Sequence, residues 1–417
     1  MNHSATEILP DPITTPLDQI DVSDPRRFEQ DNWQPLFARL RKESPVHYQA
    51  ESPAGDFWSI TKYNDIVEVE RETEIFSSEP SIAILDPEPD MILRMFIAMD
   101  RPEHDDQRKA VQGAVAPKNL QEFEKLIRVR TQEALDALPE GETFDWVSTV
   151  SRNLTTQMLA TLFDFPFEER HRLSDWSDQF TSDERLTAGA GLTLDERREA
   201  VVDCLTWFTE LWHNHKKDDK ESFDLIRMLQ RDPNTANMVD DPLTYMGNIM
   251  LLIVGGNDTT RNSMTGGVLF LNENPAEYDK LRNNLSLIPS MISETIRYQT
   301  PLPHMRRTAT RDVEFRGQKI KKGDRIVMWY ASANRDDEVI AQPDDYIIDR
   351  ENVRNHLSFG CGIHRCMGNR LAEMQLRVLW EEAMSRFKEI RVVGDPIRTR
   401  NNFVRGYNAL PVQVFRH

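Results

Sequence analysis

The spacing of apolar residues along the chain predicts a mostly helical protein. Between Trp33 and about Arg297, apolar positions recur every three to four residues, which is the period of a helix with one buried face. Five long helical patterns stand out, at 33–42, 120–137, 147–162, 193–217 and 242–272. No internal repeat and no Gly- or Ser-rich linker divides the chain. We therefore predict a single domain over residues 31–417, preceded by an N-terminal surface segment at residues 1–30.

Strand patterns are short and few. Apolar or alternating runs bounded by turn residues occur at 57–60, 313–315, 319–320, 325–328 and 410–414. The middle three runs are separated by turns near Gly317 and Gly323, so they are predicted to form one small sheet. The fold class that follows is mainly α, with a smaller β-sheet region.

Charge and composition exclude several classes of function. The 417 residues carry a formal net charge of −18, which disfavours nucleic acid and anionic membranes as partners. The N-terminus lacks the pattern of a signal peptide, and the longest apolar run, around 249–254, is too short to span a bilayer. Three cysteines favour a reducing compartment over a disulfide scaffold. We predict a cytoplasmic protein without a membrane anchor.

The segment most informative about chemistry is F-G-C-G-I-H-R-C-M-G at residues 359–368. It precedes a strong helix-forming run that begins at Asn369. A thiolate at this place lies near a helix N-terminus, where the dipole and free N–H groups stabilise its charge. Glycines allow a flat macrocycle to approach the backbone. A thiolate so placed can ligate haem iron and push electron density towards O–O cleavage.

This segment resembles the haem-binding loop of the cytochrome P450 family. Six positions agree at fixed spacing: Phe359, Gly360, Gly362, His364, Cys366 and Gly368. The resemblance implies that Cys366 is the axial ligand of haem b and that Phe359, Gly360 and Gly368 contact the cofactor. It covers roughly residues 30–415 and implies the family's triangular helical fold with a smaller sheet region.

The other cysteines have simpler interpretations. Cys361 occupies a variable position of the family's loop, and Cys204 is distant in the sequence, so each is interpreted as a small apolar filler. A zinc or redox-disulfide role for Cys361 and Cys366 is a remote alternative, because no second Cys/His pair follows at the spacing of a zinc finger.

The long pattern at 242–272 contains G-G-N-D-T-T at residues 255–260. Paired glycines and threonines are poor helix formers, and the Thr259 hydroxyl can bond back to the Gly255 carbonyl and bend the helix. The segment resembles the family's Gly-x-Asp-Thr-Thr motif, which implies catalytic roles for Asp258 as acid and Thr259 as alcohol in delivering protons. Gly255, often alanine in the family, leaves room over the haem. The alternative is a kinked core helix with a buried Asp–Thr hydrogen bond.

Two further sets of charged residues fall where the family has them. Glu294 and Arg297 lie at i,i+3 on one helix face, and Arg350 matches the third member of the family's buried structural network. The cations implied to hold the two propionates of haem are His104, Arg108, Arg307 and His364. Taken singly, each of these histidines is more often an ordinary surface or core residue.

A predicted substrate pocket is almost entirely aliphatic. Its walls are expected from the loop before His104, from the bent helix and from two later segments. The residues predicted to form them are Leu93, Val254, Gly255, Leu302, Phe403 and Val404. Such walls suit a flexible hydrocarbon chain. Ordinary core packing is the alternative, since apolar stripes are more often core than pocket. Residues 80–98 and 163–200 are predicted to form a mobile lid.

The sequence around the cysteine loop narrows the resemblance to one branch of the family. Residues 356–359, 364–375 and 401–407 resemble the bacterial alkane and fatty-acid terminal hydroxylases of the family. This resemblance implies insertion of one oxygen atom from O₂ at a terminal methyl group of a hydrophobic small molecule. Electrons would come from an iron–sulfur ferredoxin and its NAD(P)H-dependent flavin reductase. A sterol or terpenoid substrate is the alternative, and a haem-thiolate sensor without turnover is a remote one.

A cluster of basic residues surrounds the cysteine loop on an otherwise acidic chain. Its members are Arg354, His364, Arg365, Arg370, Arg377, Arg386 and Lys388. Complementary charge would steer an acidic electron-donor protein to this face. The alternative is an ordinary solvated helix whose charges pair with the interspersed glutamates.

Overall fold

Helices dominate the computed structural model, which describes residues 8–89, 91–217, 222 and 224–417. The helices are α1 (Arg26–Glu29), α2 (Gln34–Glu43), α3 (Tyr63–Arg71), α4 (Glu103–Gln112), α5 (Pro117–Asp136), α6 (Asn153–Phe163), α7 (His171–Thr181), α8 (Leu194–Lys217), α9 (Leu225–Arg231), α10 (Pro242–Glu273), α11 (Pro275–Asn283), α12 (Ile288–Gln299), α13 (Tyr330–Ala333) and α14 (Asn369–Arg386). All five predicted long helices are present. The one predicted at 147–162 opens with a π-helical turn, Val147–Arg152, before α6.

The strands form four small sheets. They are β1 (Val46–Gln49), β2 (Phe57–Ile60), β3 (Phe76–Ser77), β4 (Phe144–Asp145), β5 (His304–Ala309), β6 (Val313–Phe315), β7 (Gln318–Ile320), β8 (Arg325–Trp329), β9 (Phe387–Val392), β10 (Ile397–Arg398), β11 (Tyr407–Ala409) and β12 (Pro411–Arg416). The largest sheet has the order β1-β2-β8-β5-β3, and the others are β10-β11, β4-β12-β9 and β6-β7. The predicted fold class, mainly α with a minor β region, is confirmed.

One predicted sheet is wrong. Strands β6 and β7 pair only with each other, whereas β8 runs parallel to β2 and antiparallel to β5. The burial of the strands explains the difference. The last four residues of β8 are all buried, which suits a central strand, while β6 and β7 each bury only one residue of three. Strand patterns in the sequence identify strands but not their partners.

Helix α10 is the centre around which the other helices pack. It contacts α6, α7, α12 and α14, and two hydrophobic clusters meet along it. Close packing depends on its small residues: a Cβ atom at Gly267 would lie 3.2 Å from the Trp380 indole nitrogen of α14. Although α10 is long, no helix in the described part of the chain is both long and apolar enough to cross a bilayer.

The N-terminal segment packs against the β-sheet side of the molecule. Ile20, Val22 and Phe28 are buried in one hydrophobic cluster with Trp329 of β8, and Phe403 packs against the same cluster. The first seven residues, where the absence of a signal peptide was predicted, lie outside the described residues. The domain boundary at residue 30 stays a prediction.

Candidate active site

A cavity of about 390 Å³ lies between α10 and the glycine-rich loop that leads into α14. One side is formed by Phe359, Gly360, Cys366 and Gly368 of the loop, and Gly255 and Thr259 of α10 lie on its wall. The remaining walls come from the connection between β3 and α4, which is mostly apolar, from β5, and from the connection between α7 and α8, which is partly charged. The topology thus brings together two segments that are about 100 residues apart in the sequence.

The loop before α14 holds the Cys366 thiol open to this cavity. The Cys366 N–H donates to the Phe359 carbonyl at 2.8 Å, which closes the loop on itself. Gly360 and Gly362 adopt φ angles of +62° and +64°, a conformation that favours glycine. Burial raises the pKa of the thiol, while the backbone N–H groups of Gly368 and Asn369 lower it. The thiol therefore sits where a helix N-terminus can stabilise its anion.

Three of the four residues predicted to hold the propionates, Arg108, Arg307 and His364, line the cavity, and His104 packs against His364 without lining it. The His104 and His364 rings are 4.3 Å apart, and His364 Nε2 bonds to the Ser78 hydroxyl at 2.8 Å. Arg108 donates to the Arg365 carbonyl at 2.6 Å. Burial lowers the pKa of both histidines, that of His364 to about 2. A neutral His364 can accept from the Ser78 hydroxyl at Nε2 and donate its Nδ1–H to an anion, whereas a neutral His104 already donates its one proton from Nδ1 to the Asp105 carboxylate.

Haem, the cofactor implied by the resemblance, fits these residues. Three buried nitrogens at the cationic edge have no hydrogen-bond partner in the part of the chain that the structure describes: His104 Nε2, His364 Nδ1 and Arg307 Nε. Buried polar atoms are normally paired, so these atoms mark a place for an acidic group such as a propionate. A Cβ atom at Gly368 or Gly255 would meet nothing within 4 Å, so both glycines border open space. That space can accept a flat ring.

The structure adds Glu70 of α3 to the site, which no sequence signal indicated. Its carboxylate is 2% exposed, lines the cavity, and accepts hydrogen bonds from the Cys361 N–H and the Tyr330 hydroxyl. A Cβ atom at Gly360 would lie 3.2 Å from Glu70 Oε1. Glu70 thus fixes the middle of the cysteine loop. It was missed because its helix carries a second glutamate, Glu68, two positions earlier, and nothing in the sequence distinguishes the two.

On α10, Thr259 lines the cavity. Its hydroxyl donates to the Gly255 carbonyl at 3.1 Å, the bond expected from the sequence. The helix runs without interruption through residues 255–260. The neighbouring Gly256 allows a close approach of α6, since a Cβ atom there would lie 2.7 Å from Leu159 Cδ2. The wall over the cavity is therefore open at Gly255 and tightly packed one residue later.

Asp258 is placed differently from Thr259. Its carboxylate is fully buried, pairs with Arg261 at 2.9 Å, accepts from the Asn257 amide at 3.0 Å, and does not line the cavity. Arg261 also pairs with Asp178 of α7 at 2.9 Å. Burial raises the pKa of Asp258 to about 6, although Arg261 opposes the rise. Asp258 and Thr259 are adjacent in the sequence, but the Thr259 side chain faces the cavity while the Asp258 carboxylate faces Arg261.

The predicted structural network is assembled around Glu294. Arg297 pairs with it at 2.7 and 2.8 Å, and Arg350 Nε lies 3.1 Å from the same carboxylate. The backbone N–H of Ile347 donates to it at 2.9 Å. Arg297 also donates to the carbonyls of Asn334, Pro343 and Asp345. The network therefore ties α12 to the segment that precedes the cysteine loop.

Five of the six predicted pocket residues line the cavity: Leu93, Val254, Gly255, Leu302 and Phe403. Val404 does not. It is buried with 3% exposure, while its neighbour Phe403 turns towards the cavity. The chain bends at residues 402–404, where the Asn401 side chain accepts from the N–H groups of both Phe403 and Val404, and only the Phe403 side chain reaches the cavity wall. The sequence does not reveal which of the two side chains does so.

The basic cluster near the cysteine loop divides into two groups. Arg377 pairs with Glu124 at 2.8 Å, and Arg386 pairs with Asp136 and Glu382 at 2.7 and 2.6 Å. These two arginines therefore fit the alternative interpretation, in which the basic residues of a solvated helix pair with nearby carboxylates. The exposed residues of the cluster are Arg354, Arg365, Arg370 and Lys388. They remain a candidate docking surface.

The three cysteines are free. Cys204 is buried in a hydrophobic cluster, as expected of an apolar filler. Burial raises the pKa of Cys361 to about 12, so this thiol is not poised for reaction. Within the described residues, no group of three or more His, Cys, Asp or Glu side chains is placed to hold a metal ion. The zinc alternative thus has no ligand set in that part of the chain.

The site combines three features: the Cys366 thiol at a helix N-terminus, Thr259 of α10 on the cavity wall, and a cationic edge. Together they are typical of a haem-thiolate protein. The chain belongs to the cytochrome P450 family, whose sequence model matches residues 29–406. Family membership makes the protein a monooxygenase with haem as its cofactor. The sensor alternative is therefore not supported.

The similarity of this chain to individual relatives extends along nearly its whole length. Linalool 8-monooxygenase of Pseudomonas putida is 32% identical over 95% of this chain and 99% of its own length. Methyl-branched lipid omega-hydroxylase of Mycobacterium tuberculosis is 30% identical over 95% of this chain and 96% of its own. The solved structure of cytochrome P450-153 from Novosphingobium aromaticivorans is 44% identical, with a TM-score of 0.88, over 94% of this chain and 99% of that one.

Proposed function

We propose that this monooxygenase hydroxylates medium-chain alkanes or fatty acids at the terminal methyl group. The observation that carries the proposal is the aliphatic wall that leads to the Cys366 thiol and Thr259, formed by residues such as Leu93, Val254 and Leu302. Such a wall offers a hydrocarbon chain contact along its length and few polar groups to fix a ring. The similarity to a methyl-branched lipid omega-hydroxylase supports the same choice.

Terminal oxidation is a problem of positioning. A terminal C–H bond is stronger than its neighbours, so the pocket must present only the chain end to the reacting centre. Bound haem supplies the iron centre at which O₂ is activated, with Cys366 as its thiolate ligand. His104, Arg108, Arg307 and His364 hold its propionates. Gly255 keeps the space next to Thr259 clear for the chain end.

Proton delivery falls to Thr259 and Asp258. The Thr259 hydroxyl faces the cavity and is anchored on the Gly255 carbonyl at 3.1 Å. Asp258, with a pKa near 6, can carry a proton at neutral pH, but its carboxyl must leave Arg261 to pass that proton towards the cavity. Arg261 then keeps Asp178 as its partner, so the departure does not leave a buried cation alone.

Electrons are proposed to come from an iron–sulfur ferredoxin, fed by an NAD(P)H-dependent flavin reductase. The exposed cations Arg354, Arg365, Arg370 and Lys388 lie in and around the segments that adjoin the Cys366 loop. A positive patch on a protein of net charge −18 suits an acidic partner, whose encounter it would steer.

The second candidate substrate is a terpenoid. The similarity to a linalool 8-monooxygenase favours it, and both candidates require the same aliphatic walls. The test is therefore product analysis with both substrate classes. The purified haem protein would be reconstituted with a surrogate ferredoxin, its reductase and NADH, and supplied with dodecane, dodecanoic acid or linalool.

Mass spectrometry of the products would locate the hydroxyl group. Predominant oxidation at the terminal carbon of dodecane or dodecanoic acid is the expected result. Internal hydroxylation would contradict terminal selectivity but keep the substrate class. Turnover of linalool alone, by protein whose ferrous–CO spectrum shows an intact thiolate ligand, would favour the terpenoid. A Thr259→Ala variant with Thr259→Ser as its matched control would report the hydroxyl's part in coupling NADH use to product.

A further inference from the structure

The aliphatic cavity carries a charged cluster where two segments of the chain meet at its outer rim. Glu88 comes from the connection between β3 and α4, and Asp183, Arg185 and Arg197 come from the connection between α7 and α8 and the first turn of α8; all four line the cavity. Glu88 and Arg185 are 34% and 36% exposed. We call these four residues the rim cluster.

The contacts within the rim cluster are unequal. Asp183 is 3% exposed and accepts from both arginines, from Arg185 at 2.8 and 3.1 Å and from Arg197 at 2.5 Å. Glu88 makes one bond, to the Arg185 Nη1 atom, at 2.7 Å. Glu88 is therefore the carboxylate that can leave most easily, since it is partly solvated and held by a single contact.

Arg197 has donor capacity to spare. Its Nε atom is buried and has no hydrogen-bond partner among the described residues, and burial lowers the pKa of its guanidinium more than Asp183 raises it. A partly desolvated cation with an unused N–H group gains from a further anion. Among the described residues that line the cavity, the other arginines are Arg108 and Arg307, which lie at the haem edge.

We propose that the rim cluster is a binding site for the carboxylate of a fatty-acid substrate, which displaces Glu88 from Arg185 and engages the free donor of Arg197. The exchange replaces one carboxylate by another, so Arg185 stays paired and the released Glu88 is solvated. The hydrocarbon chain then lies along the aliphatic walls with its methyl end towards Cys366. This inference rests on the proposed function and selects fatty acids over alkanes as the better-bound class.

The test compares dodecanoic acid with its methyl ester at neutral pH: the chain is the same, and the ester replaces the charged carboxylate by a neutral head group that is one methyl group larger. Their dissociation constants would be measured on the haem protein from the shift of the Soret band. Arg197→Gln removes the charge and the donor geometry, so its Kd for the acid should rise about tenfold or more, while its Kd for the ester stays within about twofold. Glu88→Gln should lower the Kd for the acid, because the competing anion is gone.

Arg198→Gln is the matched control. Arg198 is the next residue of α8, pairs with Asp195 at 2.9 Å and does not line the cavity, so its loss should change neither Kd. Equal changes for acid and ester, or none, in both the Arg197 and Glu88 variants would overturn the proposal. If wild-type protein hydroxylates the end of dodecane while these variants treat acid and ester alike, only the carboxylate site is wrong. If it oxidises no straight-chain substrate, the proposed function fails as well.

Discussion

At the scale of single residues, the cysteine loop depends on a carboxylate from a distant helix. Glu70 of α3 accepts from the Cys361 N–H and from Tyr330, and it is almost fully buried. Replacing it by alanine leaves two buried donors without an acceptor, at a cost of about 1–3 kcal/mol for each. The loop would lose its fixed distance from α3, and Cys366 moves with the loop.

We therefore expect Glu70→Ala to increase the fraction of ferrous–CO complex that lacks the thiolate-shifted Soret band. Glu68→Ala is the control, because Glu68 lies on the same helix, is 45% exposed and pairs with Arg316 at the surface. Equal spectra for the two variants, with equal thermal midpoints, would show that Glu70 does not position the ligand loop.

Residue identities and residue surroundings differ in how far the sequence predicts them. The cysteine, the threonine and the cationic set are recognisable because the haem site imposes fixed spacings on them. The burial of Asp258 and its pairing with Arg261 are not recognisable, because they depend on how α7 packs against α10. The same limit applies to Val404, whose orientation follows from the backbone of one turn.

At the scale of elements, the Glu294 network ties α12 to the segment before the cysteine loop. Arg297 is 1% exposed and makes hydrogen bonds with Glu294 and three backbone carbonyls. Arg297→Ala leaves these buried acceptors short of a donor, so we expect a loss of about 3–5 kcal/mol in the free energy of unfolding. Urea denaturation of the haem protein would measure the loss.

Lys125→Ala provides the comparison for this prediction. Lys125 also pairs at i,i+3, with Glu122 at 3.0 Å, but on the exposed surface of α5. Its removal should cost about 0–1 kcal/mol. Similar costs for the two substitutions would mean that burial of the Glu294 network contributes no extra stability.

Helices were predictable from the sequence because their period is local, and all five long patterns became helices. The pairing of strands was not, because it joins segments far apart in the chain. Strand β8 illustrates this: its neighbours are β2, more than 250 residues earlier, and β5, and no feature of residues 325–329 specifies either. The charged rim of the cavity was missed for the same reason, since its members meet only in the folded chain.

At the scale of the whole molecule, buried neutral histidines make the fold sensitive to acid. Burial lowers the pKa of His304 and of His356 to about 4, from an ordinary value of 6.5. The unfolded chain therefore binds protons that the folded chain does not. The contribution of these two neutral histidines to the stability of the fold is fully present above about pH 6.5 and is lost as the pH falls towards 4.

For each of these two histidines, we expect the free energy of unfolding to fall by about 2 kcal/mol when the pH is lowered from 7 to 5. His304→Gln should reduce the pH dependence by that amount, and urea denaturation at the two pH values would measure it. His213→Gln, a change at an exposed side chain of α8, is the control. An unchanged pH dependence in the His304 variant would exclude this histidine as the acid-sensitive group.

The rim cluster also determines how this enzyme could be recombined with its relatives. Glu88 belongs to one wall segment and Arg185 to another, 97 positions further along the chain, and they contact each other at 2.7 Å. A chimera that imports residues 80–98 alone would set a foreign side chain against Arg185, Arg197 and Asp183. The two segments should therefore be exchanged together, because the ion pairs of the rim cluster are then kept. If only one segment is exchanged, a carboxylate or an arginine of the rim cluster loses its partner.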